Sequence, residues 1–224
     1  MIRSRRFPIF VGLVIALVLP FIFSYYLGSV REHVDEADKV VGALAREWGI
    51  TFLLLLLIWK WERRPLRSIG VGRMNRGDVM AALGGFVLGA LAFAITTPLV
   101  SSLGLGSTGA GIAQLARVPV PLRLLIVLTA GVTEEILFRG YPIERMAELT
   151  GRLITGAGIA YIAFVLLHIP FWGAGGTIQI GTWSLIVTAL YVWRRNLPAC
   201  ILMHILNDAY AFILLPALFG RYLP

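Results

Sequence analysis

Six ionisable side chains stand inside apolar stretches in the C-terminal half of this 224-residue chain: Glu134, Glu135, Arg139, His168, His204 and Asp208. An ionisable group within a membrane-spanning stretch costs at least about 2.5 kcal/mol on insertion scales, so a set of six marks a functional site. Glu135 and Arg139 are four residues apart with the acid first, which puts them on one helix face in the favourable order for a structural ion pair. Glu134 is turned about 100° from Glu135, has Phe138 one turn on, and is left without an intrahelical partner. It is the carboxylate free to move protons. His204 and Asp208 are again four apart, with Asn207 beside them. Such a pair serves as an oriented hydrogen-bond donor, a metal ligand, or a buried polar contact between helices.

The elements must bring these groups together. A turn at Thr150 and Gly151, where glycine suits a helix C-terminus, leaves Glu134 and His168 each 17 residues away, on opposite sides of it. Two antiparallel helices would carry both side chains about 25 Å from the turn. A Glu facing a His at one level is a workable general-base pair. The charges Glu144, Arg145, Glu148 and Arg152 predict that the hairpin end projects beyond the inner membrane face, leaving the site about 15 Å below that face. His204 follows the Arg194 to Asn196 turn by about 12 Å of helix and would join the same level.

The composition points to a bilayer as the solvent. Hydrophobic residues make up 58% of the chain and charged residues 14%, against about 45–50% and about 25% in soluble domains. The net charge of +8 would suit nucleic acid, but the basic residues lie in short clusters between apolar runs, so no nucleic-acid partner is expected. The single cysteine, Cys200, excludes an intramolecular disulfide and a Cys-rich zinc module. The predicted fold class is all-α: a polytopic transmembrane helical bundle of about seven spans, or eight, plus a short amphipathic interfacial helix. The spans fall near 7–28, 48–60, 79–101, 121–141, 153–171, 181–193 and 197–218.

The first span follows Arg3, Arg5 and Arg6 and reads as uncleaved, because it is longer than a signal-peptide core and no small-residue cleavage signal closes it. Arg and Lys concentrate in the segments near residues 3–6, 60–76, 139–152 and 194–195, which predicts that these face the cytoplasm together with the N-terminus. Trp48, Trp172 and Trp183 then fall at outer membrane edges, and Trp59, Trp61 and Trp193 at inner ones. The interfacial helix carries Val34, Ala37, Val41, Leu44 and Trp48 on one face, a pattern that a solvated extension of the second span explains equally well. His33 reads as a surface residue. Gly85 and Gly89 form a small-residue pair for close helix packing, and Ser101 to Gly111 reads as a flexible outer loop. The halves show no repeat, which removes support for an inverted-repeat transporter.

Three motifs in order resemble the CPBP intramembrane proteases, the family of CAAX-processing and bacteriocin-processing enzymes also called ABI. They are Glu-Glu-x-x-x-Arg at Glu134, Glu135 and Arg139, Phe-x-x-x-His at Phe164 and His168, and His-x-x-x-Asn/Asp at His204 and Asp208. On this resemblance residues 1–115 are N-terminal spans without a motif and 116–224 are the catalytic helical core. The resemblance implies a membrane endopeptidase in which Glu134 and His168 activate a water while His204 and Asp208 stabilise the oxyanion, with Glu135, Arg139, Phe164 and Asn207 in support. Position 208 is Asp where the best understood members have Asn, and an ionised carboxylate would repel an oxyanion. Asp208 is therefore neutral, or orients His204 as the true donor, or gives way to Asn207; the second reading is favoured. No metal cofactor is expected, the alternative being zinc on Glu134, His168, His204 and Asp208, since no His-Glu-x-x-His helix is present. The expected partner is a membrane-bound peptide or protein substrate, or a lipid-modified one, in a prokaryotic plasma membrane. A non-catalytic scaffold or immunity protein, and a proton-coupled transporter, are the competing readings.

Overall fold

A computed structural model describes residues 2–27 and 36–219; His33, Val34 and the acids and bases around them lie outside these residues. Helices carry nearly all of the described chain, and among the described residues there is no strand. In order they are α1 (Ile2–Leu17), α2 (Leu19–Leu27), α3 (Glu36–Leu56), α4 (Arg76–Ser102), α5 (Gly109–Ala116), α6 (Val120–Glu135), α7 (Tyr141–Thr150), α8 (Leu153–Arg194), α9 (Leu197–Ala209) and α10 (Leu215–Phe219). Five segments are long and apolar enough to cross a membrane: Arg6–Tyr25, Ala37–Glu62, Arg76–Ser102, Leu153–Arg194 and Leu197–Phe219. The outer surface is studded with exposed Leu, Ile, Val and Phe side chains, as a bundle solvated by lipid requires. The chain is an integral membrane protein.

Two segments differ from the predicted layout, each for a local reason. The expected interfacial helix and second span form one continuous helix: α3 runs into a π-helical turn, Leu57–Glu62, and ends where Arg63 adopts a left-handed conformation (φ 55°). Nothing in the sequence between Ala37 and Glu62 stops it, since no proline falls there. Conversely, α8 is two helices. Its backbone leaves helical geometry at Gly173 (φ 64°, ψ −176°), a region open essentially to glycine alone. The chain doubles back there, so that Phe164 on the first arm meets Trp183 on the second at 6.3 Å between ring centres. The predicted separation into 153–171 and 181–193 therefore holds, although the second arm begins directly after Gly173.

The loop between α4 and α6 is shorter than expected, because α4 extends through Ser102 and α5 fills Gly109–Ala116. Gly85 and Gly89 do make a close-packing groove. A Cβ on Gly85 would lie 2.6 Å from Met203 Sδ, and one on Gly89 2.7 Å from Trp183 Cδ1. Trp183 is thus no interfacial anchor: it is 3% exposed and packs in the core. Trp48 likewise turns inward to donate from Nε1 to Thr129 Oγ1 at 3.0 Å. Their outward placement assumed helix ends where the structure has helix interiors. Trp59, Trp61 and Trp193 are exposed, as a membrane-edge belt needs.

One end of the bundle is laced by ion pairs. Arg145 binds Glu62 at 2.6 Å, Arg194 binds Asp78 at 2.8 Å, Arg64 binds Glu148, and Arg195 binds Glu144. These pairs join the loop after α3, the α7–α8 turn and the α8–α9 turn into one rim. The start of α1 reaches it as well, through the edge-to-face contact of Phe7 with Trp61.

Candidate active site

The α6–α7 rod enters the site through a π-helical turn, Ile136–Gly140, all of whose residues are buried. Such turns inside α-helices recur at functional sites because they re-aim neighbouring side chains. The rod ends at Gly151, whose positive φ (73°) lets its N–H reach Ala147 O at 2.8 Å. The return helix then pairs in the expected register. Phe138 and Phe164, each 13 residues from Gly151, meet edge to face at 5.4 Å.

Glu135 is fully buried and holds two cations or donors at one oxygen. Its Oε1 accepts from Arg139 Nη1 at 2.9 Å and lies 2.7 Å from His204 Nδ1. Arg139 is saturated further by Ser184 Oγ at 2.8 Å and by the face of Phe164, 4.1 Å from its guanidinium carbon. The Glu135–Arg139 pair is the one the four-residue spacing predicts, whereas the hold of Glu135 on His204 comes from a distant helix. That hold fixes the imidazole: a proton on Nδ1 is donated to Glu135, and Nε2 is turned toward Asp208 Oδ2 at 3.4 Å and Glu134 Oε2 at 3.9 Å. His204 is thus held between two carboxylates, Glu135 at Nδ1 and Asp208 near Nε2. Trp183 closes the other side of the ring at 4.7 Å.

His168 stands on the first arm of α8, half-buried, with Nδ1 2.7 Å from the carbonyl of Phe164 and its ring 4.2 Å from that of Phe164. Donation from Nδ1 leaves the Nε2 lone pair as the base. Glu134 and His168 line the same cavity, but among the described residues no hydrogen bond joins them; the basic group nearest to Glu134 is His204. Asn207 Nδ2 lies 3.4 Å from Asp208 Oδ1, and both residues are buried on α9.

A carboxylate absent from all three motifs completes the wall. Glu47 on α3 lines the cavity and accepts from Thr133 Oγ1 at 3.0 Å, one residue before Glu134. Its only sequence signal is its place one turn before the buried Ile50 and Leu54, the shared face of a helix. Among charges read as a solvated outer segment, that signal is silent.

The cavity has a volume of about 870 Å³, within the range of ligand pockets. Glu134, His168, His204 and Asp208 cluster in its wall, and Pro20, Phe23, Leu115 and Phe212 are among its apolar lining. It runs from the acids toward α2, the start of α3 and α5, away from the ion-paired rim. His168 is only five residues before the Gly173 reversal, which is the far end of α8. Among the described residues no group of three or more His, Cys, Asp and Glu side chains gathers as a metal ligand set. The bond from His204 Nδ1 to Glu135 leaves Nε2 facing Glu134 and Asp208, the orientation that an oxyanion donor and a metal ligand would share.

Comparison with known proteins bears on this segment alone. Residues 116–210 match the family described as type II CAAX prenyl endopeptidase Rce1-like. No curated protein and no solved structure matches the chain. The matched stretch contains all three motifs, with His168 and His204, and the match agrees with the CPBP resemblance.

Proposed function

We propose that this protein is an intramembrane endopeptidase that hydrolyses a peptide bond of a membrane-associated or lipid-modified substrate. The observation that carries the reading is the gathering of Glu134, His168, His204 and Asp208 on one wall of an apolar cavity inside a membrane bundle. Glu134 takes a proton from water as the water oxygen attacks the scissile carbonyl carbon, and His168 Nε2 holds the second water hydrogen. His204 presents Nε2–H to the carbonyl oxygen as it gains charge, with Glu135 balancing the imidazole from behind. The proton held by Glu134 then passes to the departing amine nitrogen as the C–N bond breaks. A positioned base supplies about 10² to 10⁴ in rate and one oxyanion donor about 10² to 10³. Asp208, beside His204 Nε2, keeps the ring aimed and does not contact the oxyanion.

The test compares the wild type with Glu134→Gln on a membrane-peptide library in detergent, with and without a strong zinc chelator. Cleavage lost in the variant and kept with chelator is the expected result. Loss with chelator as well would assign the same residues to a metal site, and cleavage equal in both proteins would overturn the assignment of Glu134 as the base.

A further inference from the structure

The turn of α8 that carries His168 is held in an unusual way. Pro170 stands four residues after Leu166 and has no N–H, so the Leu166 carbonyl loses its partner in the helix. Inside a bilayer such a carbonyl must be satisfied by another group. Tyr25 on α2 does this, its hydroxyl donating to Leu166 O at 3.1 Å. A residue from the N-terminal region, outside the matched family segment, thus caps a backbone break two residues from His168.

The element that carries Tyr25 is the last part of the first span. It is nine residues long and is set off from α1 at Val18, where Pro20 withholds its N–H from the preceding turn. One side of it, through Pro20, Phe23 and Ser24, lines the cavity opposite Leu167, His168, Phe171 and Trp172. Its other side is open to the surroundings: Ile22 and Tyr25 are each about half exposed. Between α2 and α8, therefore, a single short helix separates the bilayer from the acids.

We propose that the seam between α2 and α8 is where a bilayer-anchored peptide enters the cavity, and that the Tyr25 to Leu166 hydrogen bond is its latch. The proposal rests on the endopeptidase reading for its purpose and on the geometry for its place. One hydrogen bond is a weak fastening, readily exchanged for one to an incoming peptide. The substrate class follows: a single-span or lipid-anchored chain reaches the seam by lateral diffusion, and a soluble peptide has no need of it.

Spin labels at Ile22→Cys and Ile169→Cys, both exposed positions, report the width of the seam, while the buried Cys200 stays unlabelled. The distance is measured in phosphatidylcholine vesicles on the Glu134→Gln protein, with and without a lysine-flanked Leu/Ala single-span peptide. The expected result is a short distance alone, a longer population with the peptide, and the same longer population in Tyr25→Phe without peptide. An unchanged distance in both cases overturns the entrance, whatever the chain's activity. Bridging the two cysteines with a short bis-maleimide in the active protein should slow cleavage of a vesicle-borne library substrate by about tenfold or more. It should spare the soluble peptide spanning the same bond. Equal loss of both, or loss of neither, overturns the proposal. If Glu134→Gln cleaves as the wild type does, the endopeptidase reading fails, and the spin-label distances still decide whether the seam opens.

Discussion

His204 is gripped at Nδ1 by Glu135 and faces two further acids from Nε2, and this separates the roles of two adjacent glutamates. Glu134 is partly open to the cavity, whereas Glu135 is fully buried between Arg139 and His204. Removing one partner of a buried ion pair costs about 3–5 kcal/mol because the other charge is stranded. Glu135→Ala should therefore lose both activity and fold stability, read as a fall in the unfolding midpoint in detergent. Glu134→Gln should lose about 10² to 10⁴ in kcat with the unfolding midpoint unchanged. At this scale the sequence was informative wherever two groups lay within one helical turn, as with Glu135 and Arg139. It was silent where the partner came from a distant helix. Neither the bond from Glu135 to His204 nor the arrival of Glu47 beside Thr133 leaves a trace in local spacing.

Hairpins set the register of the site, and glycines at their turns and contact points let the arms close. Gly89 lies so close to Trp183 that an added Cβ would stand 2.7 Å from its Cδ1. Trp183 in turn packs on His204 at 4.7 Å. Gly89→Ala should push the indole into the His204 ring and lower kcat by about tenfold to a hundredfold, since about 1 Å of misplacement suffices for that. Gly156→Ala, which meets the Ile143 carbonyl at 2.8 Å far from His204, should affect the unfolding midpoint more than kcat. Gly173→Ala tests the reversal of α8: its φ of 64° with ψ of −176° is open essentially to glycine, and the substitution should cost about 1–3 kcal/mol in thermal unfolding. The α7–α8 register was legible from Gly151 because a C-terminal glycine followed by a helix of equal apolar length admits one antiparallel pairing. The continuity of α3 was not, because a helix that passes from an amphipathic to an apolar pattern has no stop signal that would reveal whether it bends.

For the whole molecule, the charged rim and the cavity lie at opposite ends, and their orientation in the membrane decides which compartment the site serves. The rim unites the loops richest in arginine, and the start of α1 reaches it too, so the charge distribution that predicted a cytoplasmic side selects a set of segments that are neighbours in space. Positively charged short loops remain in the cytoplasm. On that rule the cavity end, with α5 and the Gly173 reversal, is expected to face the other compartment. Single cysteines at Arg152 in the rim and at Ser107 beside α5 test this directly, because Cys200 is buried and does not compete. An impermeant maleimide applied to intact cells should label Ser107→Cys and leave Arg152→Cys untouched until the membrane is permeabilised. The reverse pattern would place the rim outside and the cavity on the cytoplasmic side, where cytoplasmic lipid-modified peptides could reach it. The expected pattern instead makes the substrate one that presents its scissile bond from the outer side.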